Sequence, residues 1–258
     1  MAAVKACSVL ITGANRGLGL EMVKQLSEVN CPKRQIFACC RDPDGPKSEK
    51  LRELAEKHPS IITIVCLDVA DPCSIKESAK KVSSLLGKNG LNLLVNNAGV
   101  LAHGTLQSTT DQEMRDAFNT NLMGPFTVTK EFLPYLRTAA KASDTSGMSC
   151  DKAAVINISS QGGSMSTMPA LYLQFPLFPY CVSKAGLNML TLLAAQELKA
   201  DEILCMALHP GWVKTDMGGE NAPLTPRDSV AGLLHVVSKL TEKEHGGFMD
   251  HTGKTMPW

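Results

Sequence analysis

A chain of 258 residues that is 44% hydrophobic can bury a sizeable core, so disorder is not its default state. Its 26 basic and 25 acidic residues leave a formal net charge of +1 without any block of like charge, which argues against nucleic acid or a membrane surface as partner and favours a small, neutral or apolar ligand. The nine cysteines are odd in number, include the adjacent Cys39 and Cys40, and form no C-x-x-C, so reduced thiols are expected rather than a disulfide framework or a metal site.

The opening MAAVKACSVLITG lacks a leader pattern and no apolar run is long enough to span a membrane, so a cytoplasmic protein is expected. In chain order, apolar strand-like runs at 8–12, 35–40, 61–67, 91–96, 154–159, 204–209 and, more weakly, 247–250 alternate with helical patterns. The helices are expected near 18–29, 46–57, 73–86, 112–138, 180–199 and 226–240. Continuous apolar strands alternating with helices predict an α/β fold, doubly wound, with a mostly parallel seven-stranded sheet covered on both faces. The polar stretch 138–152 leads into another strand of the same pattern and reads as a surface loop, so one domain over 1–258 is expected. The last long helix is well signalled, with Thr225 as N-cap, Pro226 at the first helical position and Asp228 closing a capping box.

Two patterns carry chemistry. TGANRGLG, Thr12 to Gly19, follows the first strand and opens a helix, where glycines let backbone N–H groups approach a pyrophosphate. In FPLFPYCVSK, Tyr180 stands four residues before Lys184, so on a helix phenol and ammonium share a face. A cation about 6 Å away at an effective dielectric of about 20 is worth roughly 3 kcal/mol, or about two pKa units, enough to make the phenol a general acid. By itself the pair is weak evidence, because it also arises by chance.

Further motifs in order resemble the short-chain dehydrogenase/reductase family over essentially the whole chain: NNAG (96–99), NTNLMGPF (119–126), INISS (156–160), the Tyr-x-x-x-Lys pair and HPGWVKTDM (209–217). The resemblance implies a Rossmann fold and a catalytic set of Asn121, Ser160, Tyr180 and Lys184. Tyr180 would protonate the carbonyl oxygen and Ser160 would orient it, leaving Ser159 structural. Lys184 would lower the phenol's pKa and bind the nicotinamide ribose, and Asn121 would hold a proton-relay water. The dinucleotide would lie along Gly13, Asn15, Arg16, Gly17, Leu18 and Gly19, with Asp68 and Val69 at the adenine, Asn97, Ala98 and Gly99 along the cofactor wall, and Pro210, Gly211, Val213 and Thr215 near the nicotinamide. Arg41 ends the second strand ahead of Asp42, and with Arg16 it favours a 2′-phosphate, hence NADPH/NADP+ over NAD.

Ser160 and Tyr180 stand 20 positions apart, about seven more than the family's usual spacing. The extra stretch 166–178, STMPALYLQFPLF, reads either as a packed loop or as the mouth of an apolar substrate site, with Met165, Met168 and Met217 as candidate lining. His103, His209 and Trp258 read as structural. Within the family the likeness is to carbonyl reductases, implying NADPH-dependent reduction of aldehydes, ketones or quinones. An oxidising alcohol or steroid dehydrogenase and an NADPH-sensing regulatory protein are the rival readings. The helices at 112–138 and 180–199 resemble those that pair subunits in the family, whereas a longer insert at this place keeps some carbonyl reductases monomeric, so homodimer and monomer both stay open.

Overall fold

The computed structural model describes residues 4–29 and 34–258. Its strands are β1 (Ser8–Thr12), β2 (Gln35–Cys40), β3 (Ile62–Cys66), β4 (Leu93–Asn96), β5 (Ala154–Ile158), β6 (Leu204–His209) and β7 (Phe248–Asp250). Its α-helices are α1 (Gly17–Glu28), α2 (Glu49–Lys57), α3 (Pro72–Leu86), α4 (Asp111–Phe118), α5 (Gly124–Ala142), α6 (Met168–Leu171), α7 (Phe178–Leu198) and α8 (Pro226–Val237). The seven strands form one sheet in the order β3-β2-β1-β4-β5-β6-β7, with every neighbouring pair parallel.

Both faces of the sheet are buried, which is why its strands read as unbroken apolar runs. Val9 and Ile11 of β1 join the core beneath α1 and α8, with Met22, Leu26 and Leu233, while Leu10 joins the opposite core with Ile75 of α3 and Phe132 of α5. The chain runs outward through β1, β2 and β3, then crosses back to lay β4 on the other side of β1. The carboxyl ends of β1 and β4 therefore flank the switch point where open α/β sheets bind ligands. Among the described cysteines, Cys39, Cys40 and Cys205 are buried in strands.

Two expectations from the sequence change in detail. The helical pattern 112–138 is not one helix: α4 ends at Phe118, a π turn spans Asn119–Met123, and α5 runs on to Ala142. Pro125 has no N–H for the carbonyl four residues back, and the Gly124 N–H reaches back five residues to Asn119 instead. At α8, Thr225 caps the helix by accepting the Asp228 N–H at 3.1 Å, but the Asp228 carboxylate takes the Thr225 hydroxyl at 2.6 Å rather than the N-cap N–H of a full capping box.

Candidate active site

β1 delivers the glycine turn to the switch point. Gly13 has φ +65°, and a Cβ there would lie 2.9 Å from the Ala98 Cα, so the turn packs on the β4 loop only if residue 13 is glycine. The Thr12 hydroxyl oxygen accepts the N–H groups of Asn97 and Ala98, both at 3.0 Å, and the Asn97 side-chain amide donates to the Thr12 carbonyl at 2.9 Å. Asn97 and Ala98 thus brace the first turn, and Leu18 packs on the core behind it. Helix α1 starts without a side-chain cap and without an acidic residue in its first turn, whereas α3, α4 and α8 are capped by Asp71, Thr110 and Thr225. Unfilled donors at the positive end of a helix beside a glycine turn suit a pyrophosphate.

At the far end of this groove Arg41 is exposed, and its guanidinium makes no ion pair or hydrogen bond among the described residues. Asp42 is turned back into its own loop, its carboxylate lying over Gly45 and its carbonyl accepting the Ser48 hydroxyl at 2.5 Å. Arg16 forms an ion pair of 2.6 Å with Asp216, a residue that sequence reasoning passed over, and Asn15 donates to the Lys47 carbonyl at 3.4 Å. One Asp68 carboxylate oxygen accepts the Ala70 N–H at 2.9 Å, and Val69 is buried against Gly124.

β5 and α7 carry the second cluster. Tyr180 stands in the first turn of α7, behind Pro179, and Ser160 follows β5. A Cβ on Gly162 would lie 3.3 Å from both Ser160 Oγ and a ring carbon of Tyr180, so hydroxyl and phenol border the same small space. Ser159 points elsewhere, donating to Asn188 Oδ1 at 2.6 Å. Lys184 Nζ lies 5.8 Å from the Tyr180 ring centroid and donates to the Ile158 carbonyl at 2.7 Å, an anchor absent from the sequence reading. Burial pushes the Tyr180 phenol up, opposed by the Ser160 hydroxyl, and burial lowers the Lys184 ammonium to about 8. Desolvation, which disfavours the charged form of each, is the largest influence on both groups, and Lys184 is not among those that set the direction for the phenol.

The π turn aims Asn121 at the same cluster. Its amide accepts the Val100 N–H and donates to the Val100 carbonyl, each at 2.9 Å, and donates to Ser183 Oγ at 2.9 Å. Gly99 borders it, since a Cβ there would lie 3.2 Å from Asn121 Oδ1 and 3.8 Å from Lys184 Nζ. After β6, the Pro210 carbonyl accepts the Ser229 hydroxyl at 2.6 Å, and Gly211 turns the chain at φ +81°. Val213 bridges to Leu224, and Thr215 Oγ1 accepts the Gly218 N–H at 3.1 Å. Its methyl group would lie 3.5 Å from a Cβ on Gly17, so this loop covers the glycine turn. His209, whose Nδ1 accepts the Gln161 N–H at 3.3 Å, is lowered by burial to about 4 and so stays neutral. The extra stretch before Tyr180 forms an arch in which Leu173 is 93% exposed and Phe175 meets the Trp212 ring edge-on at 6.1 Å. No group of three or more His, Cys, Asp or Glu that could hold a metal occurs among the described residues.

A doubly wound parallel sheet with an uncapped glycine turn at its switch point and a Ser–Tyr–Lys cluster across the crevice defines a dinucleotide-binding oxidoreductase class. The chain belongs to the short chain dehydrogenase family, whose family model matches residues 8–224. It is similar to an NADPH-bound carbonyl reductase from chicken fatty liver, at 44% identity and a TM-score of 0.96 over 100% of this chain and 96% of that one. It is also similar to the carbonyl reductase Sniffer of Drosophila melanogaster, at 36% identity and a TM-score of 0.92 over 98% and 100% of the two chains. An uncharacterised oxidoreductase of Schizosaccharomyces pombe is 30% identical over 96% of each chain.

Proposed function

We propose that this chain is an NADPH-dependent carbonyl reductase that converts apolar aldehydes, ketones or quinones to alcohols in the cytosol. The observation that carries the reading is the convergence of Ser160, Tyr180 and Lys184 on one side of a crevice whose other side is the uncapped N-terminus of α1. Bound NADPH supplies the hydride. The chain's own residues do the rest: the Ser160 hydroxyl fixes the carbonyl oxygen, the Tyr180 hydroxyl gives it a proton, and the Lys184 ammonium holds the negative charge left on the phenol. Asn121 keeps a water in line to return that proton. Because burial holds Tyr180 protonated, the phenol is in its donor state at neutral pH. Arg41, exposed and without an ion pair among the described residues while Asp42 is turned away, is the guanidinium for the 2′-phosphate.

The test is NADPH and NADH oxidation against a panel of quinones, aldehydes and ketones. Wild type should favour NADPH by about 10²-fold in kcat/KM, the scale of two discounted charge-assisted hydrogen bonds, and Arg41→Ala should lose most of that advantage while NADH activity barely moves. Tyr180→Phe should lower kcat at least about 10²-fold with NADPH affinity little changed. Near-normal turnover in Tyr180→Phe, or a wild type that prefers NADH, would sink the mechanism or the cofactor assignment respectively.

A second copy of the chain is the partner we propose for the outer face of α7. Val182, Met189 and Leu193 recur there at helical spacing and are exposed, the last two at 51% and 55%.

A further inference from the structure

The arch 166–178 has two feet. Its exit foot is tied to the loop after β4, where the Gly104 N–H donates to the Pro176 carbonyl at 2.9 Å and the Phe178 N–H returns to the Gly104 carbonyl at 3.0 Å. Its entry foot is tied to the buried Ser164, which bonds the Thr167 N–H and hydroxyl and whose carbonyl accepts the Met168 N–H at 3.0 Å, and from outside to Trp258. The N–H and the hydroxyl of Ser166 both donate to the Trp258 backbone oxygen, at 2.9 and 2.7 Å. Between these feet the crown is held loosely, through a four-residue helix and the edge contact of Phe175 on Trp212.

Trp258 is itself held by the sheet. Its ring stacks on Phe248 of β7 at 5.5 Å and 21°, and Phe248 is buried in the core. The segment that delivers it folds back over β7 because one Asp250 carboxylate oxygen accepts the N–H groups of Thr252 and Lys254 and the Thr252 hydroxyl. Met249 and Thr255 then bridge antiparallel, and the Met256 N–H donates to the Phe248 carbonyl at 2.8 Å. Little else ties this segment to the arch. A cavity of about 300 Å³ lies here, lined by Thr167 of the arch, by Lys254, Thr255 and Met256 of this segment, and by His209 and His251 at the ends of β6 and β7. Among the described residues no other hydrogen bond joins the arch to residues 250–258. Where packing leaves a void, position is carried by the few directed contacts that cross it.

We infer that Trp258 is a positioning residue for substrate specificity: stacked on β7, it clamps the entry foot of the arch and so sets how large a carbonyl compound reaches Ser160 and Tyr180. This rests on the reading of the chain as a carbonyl reductase with the arch at its substrate mouth. Among the described residues Trp258 makes no hydrogen bond or ring contact with Ser160 or Tyr180, and it acts through Ser166.

The experiment compares KM and kcat for a phenanthrenequinone, as bulky probe, and a benzaldehyde, as small probe, at saturating NADPH. Trp258→Ala should raise KM for the quinone roughly fivefold, the scale of losing one or two modest hydrogen bonds, with kcat little changed and the benzaldehyde KM within about twofold. Trp258→Phe, which keeps a ring to stack on Phe248, should restore the wild-type ratio. Ser166→Ala, an exposed site where only one of the two hydrogen bonds is lost, should show the same bias at about half the size on a logarithmic scale and keeps the test open should Trp258→Ala fold poorly. Leu171→Ser combined with Phe175→Ser alters the crown directly. If that double variant discriminates by size while Trp258→Ala and Ser166→Ala do not, the clamp is wrong and the arch reading stands. If none of them discriminates, the arch reading falls with it.

Discussion

Lys184 shows how one residue carries opposing demands. Its ammonium is nearly enclosed, donates a hydrogen bond to the Ile158 carbonyl, and is lowered by desolvation to about 8. In the unfolded chain a lysine titrates near about 10.4. A folded value below the unfolded one means that the unfolded state binds more protons between those two pH values, so this group makes stability rise with pH across that window. Below pH 8 the charged form is present in both states and the cost of burying it is paid in full. Urea unfolding should therefore show wild type gaining on Lys184→Met from pH 8 towards 10, at a slope approaching about 1.4 kcal/mol per pH unit. A difference between the two that stays flat with pH would mean that folding leaves the lysine's titration unchanged, whereas a rise that already begins below pH 8 would mean that the lysine is buried uncharged at neutral pH.

Among the elements, the π turn between α4 and α5 matters most for the site. A continuous α-helix would carry residue 121 past Val100, whereas the wider turn aims the Asn121 amide at both backbone groups of Val100 and at Ser183. Asn121→Leu, close in size and without polar atoms, loses one buried and two part-buried hydrogen bonds and leaves the Val100 N–H and carbonyl without the Asn121 amide. The expected cost is about 3 kcal/mol in denaturant unfolding, together with loss of hydrogen-exchange protection at the Val100 amide. Retained protection there would show that some other group holds the loop after β4.

At the scale of the whole molecule, the partner we propose for the outer face of α7 is a second copy of the chain. α7 packs inward on β6 and sideways on α4 and the π turn, which leaves Val182, Met189 and Leu193 facing outward. Exposed apolar side chains in line on a helix gain by covering one another, and a two-fold axis lets one stripe serve both copies. Light scattering should give about twice the 27.7 kDa of one chain, and Met189→Asp with Leu193→Asp should return it to a single chain with the fold intact. A wild type that stays monomeric at high concentration would remove the second copy as the partner of this face.

Strand positions, the parallel sheet and the glycine turn were legible in the sequence because they rest on local rules: β-branched apolar runs, helical spacing and residues that alone permit certain backbone angles. The Tyr180–Lys184 pair was legible for the same reason, since spacing on one helix is a local property. What the tertiary structure decided involves groups distant along the chain. Asp216 reaches Arg16 across the groove, Lys184 finds the Ile158 carbonyl, and the Trp258 oxygen meets Ser166, none of which any spacing could announce. The protonation preferences of Tyr180 and Lys184 belong there too. Spacing predicts an ammonium near a phenol at an intermediate dielectric, but it does not give their burial, and desolvation is the largest influence on both groups because the folded chain encloses them.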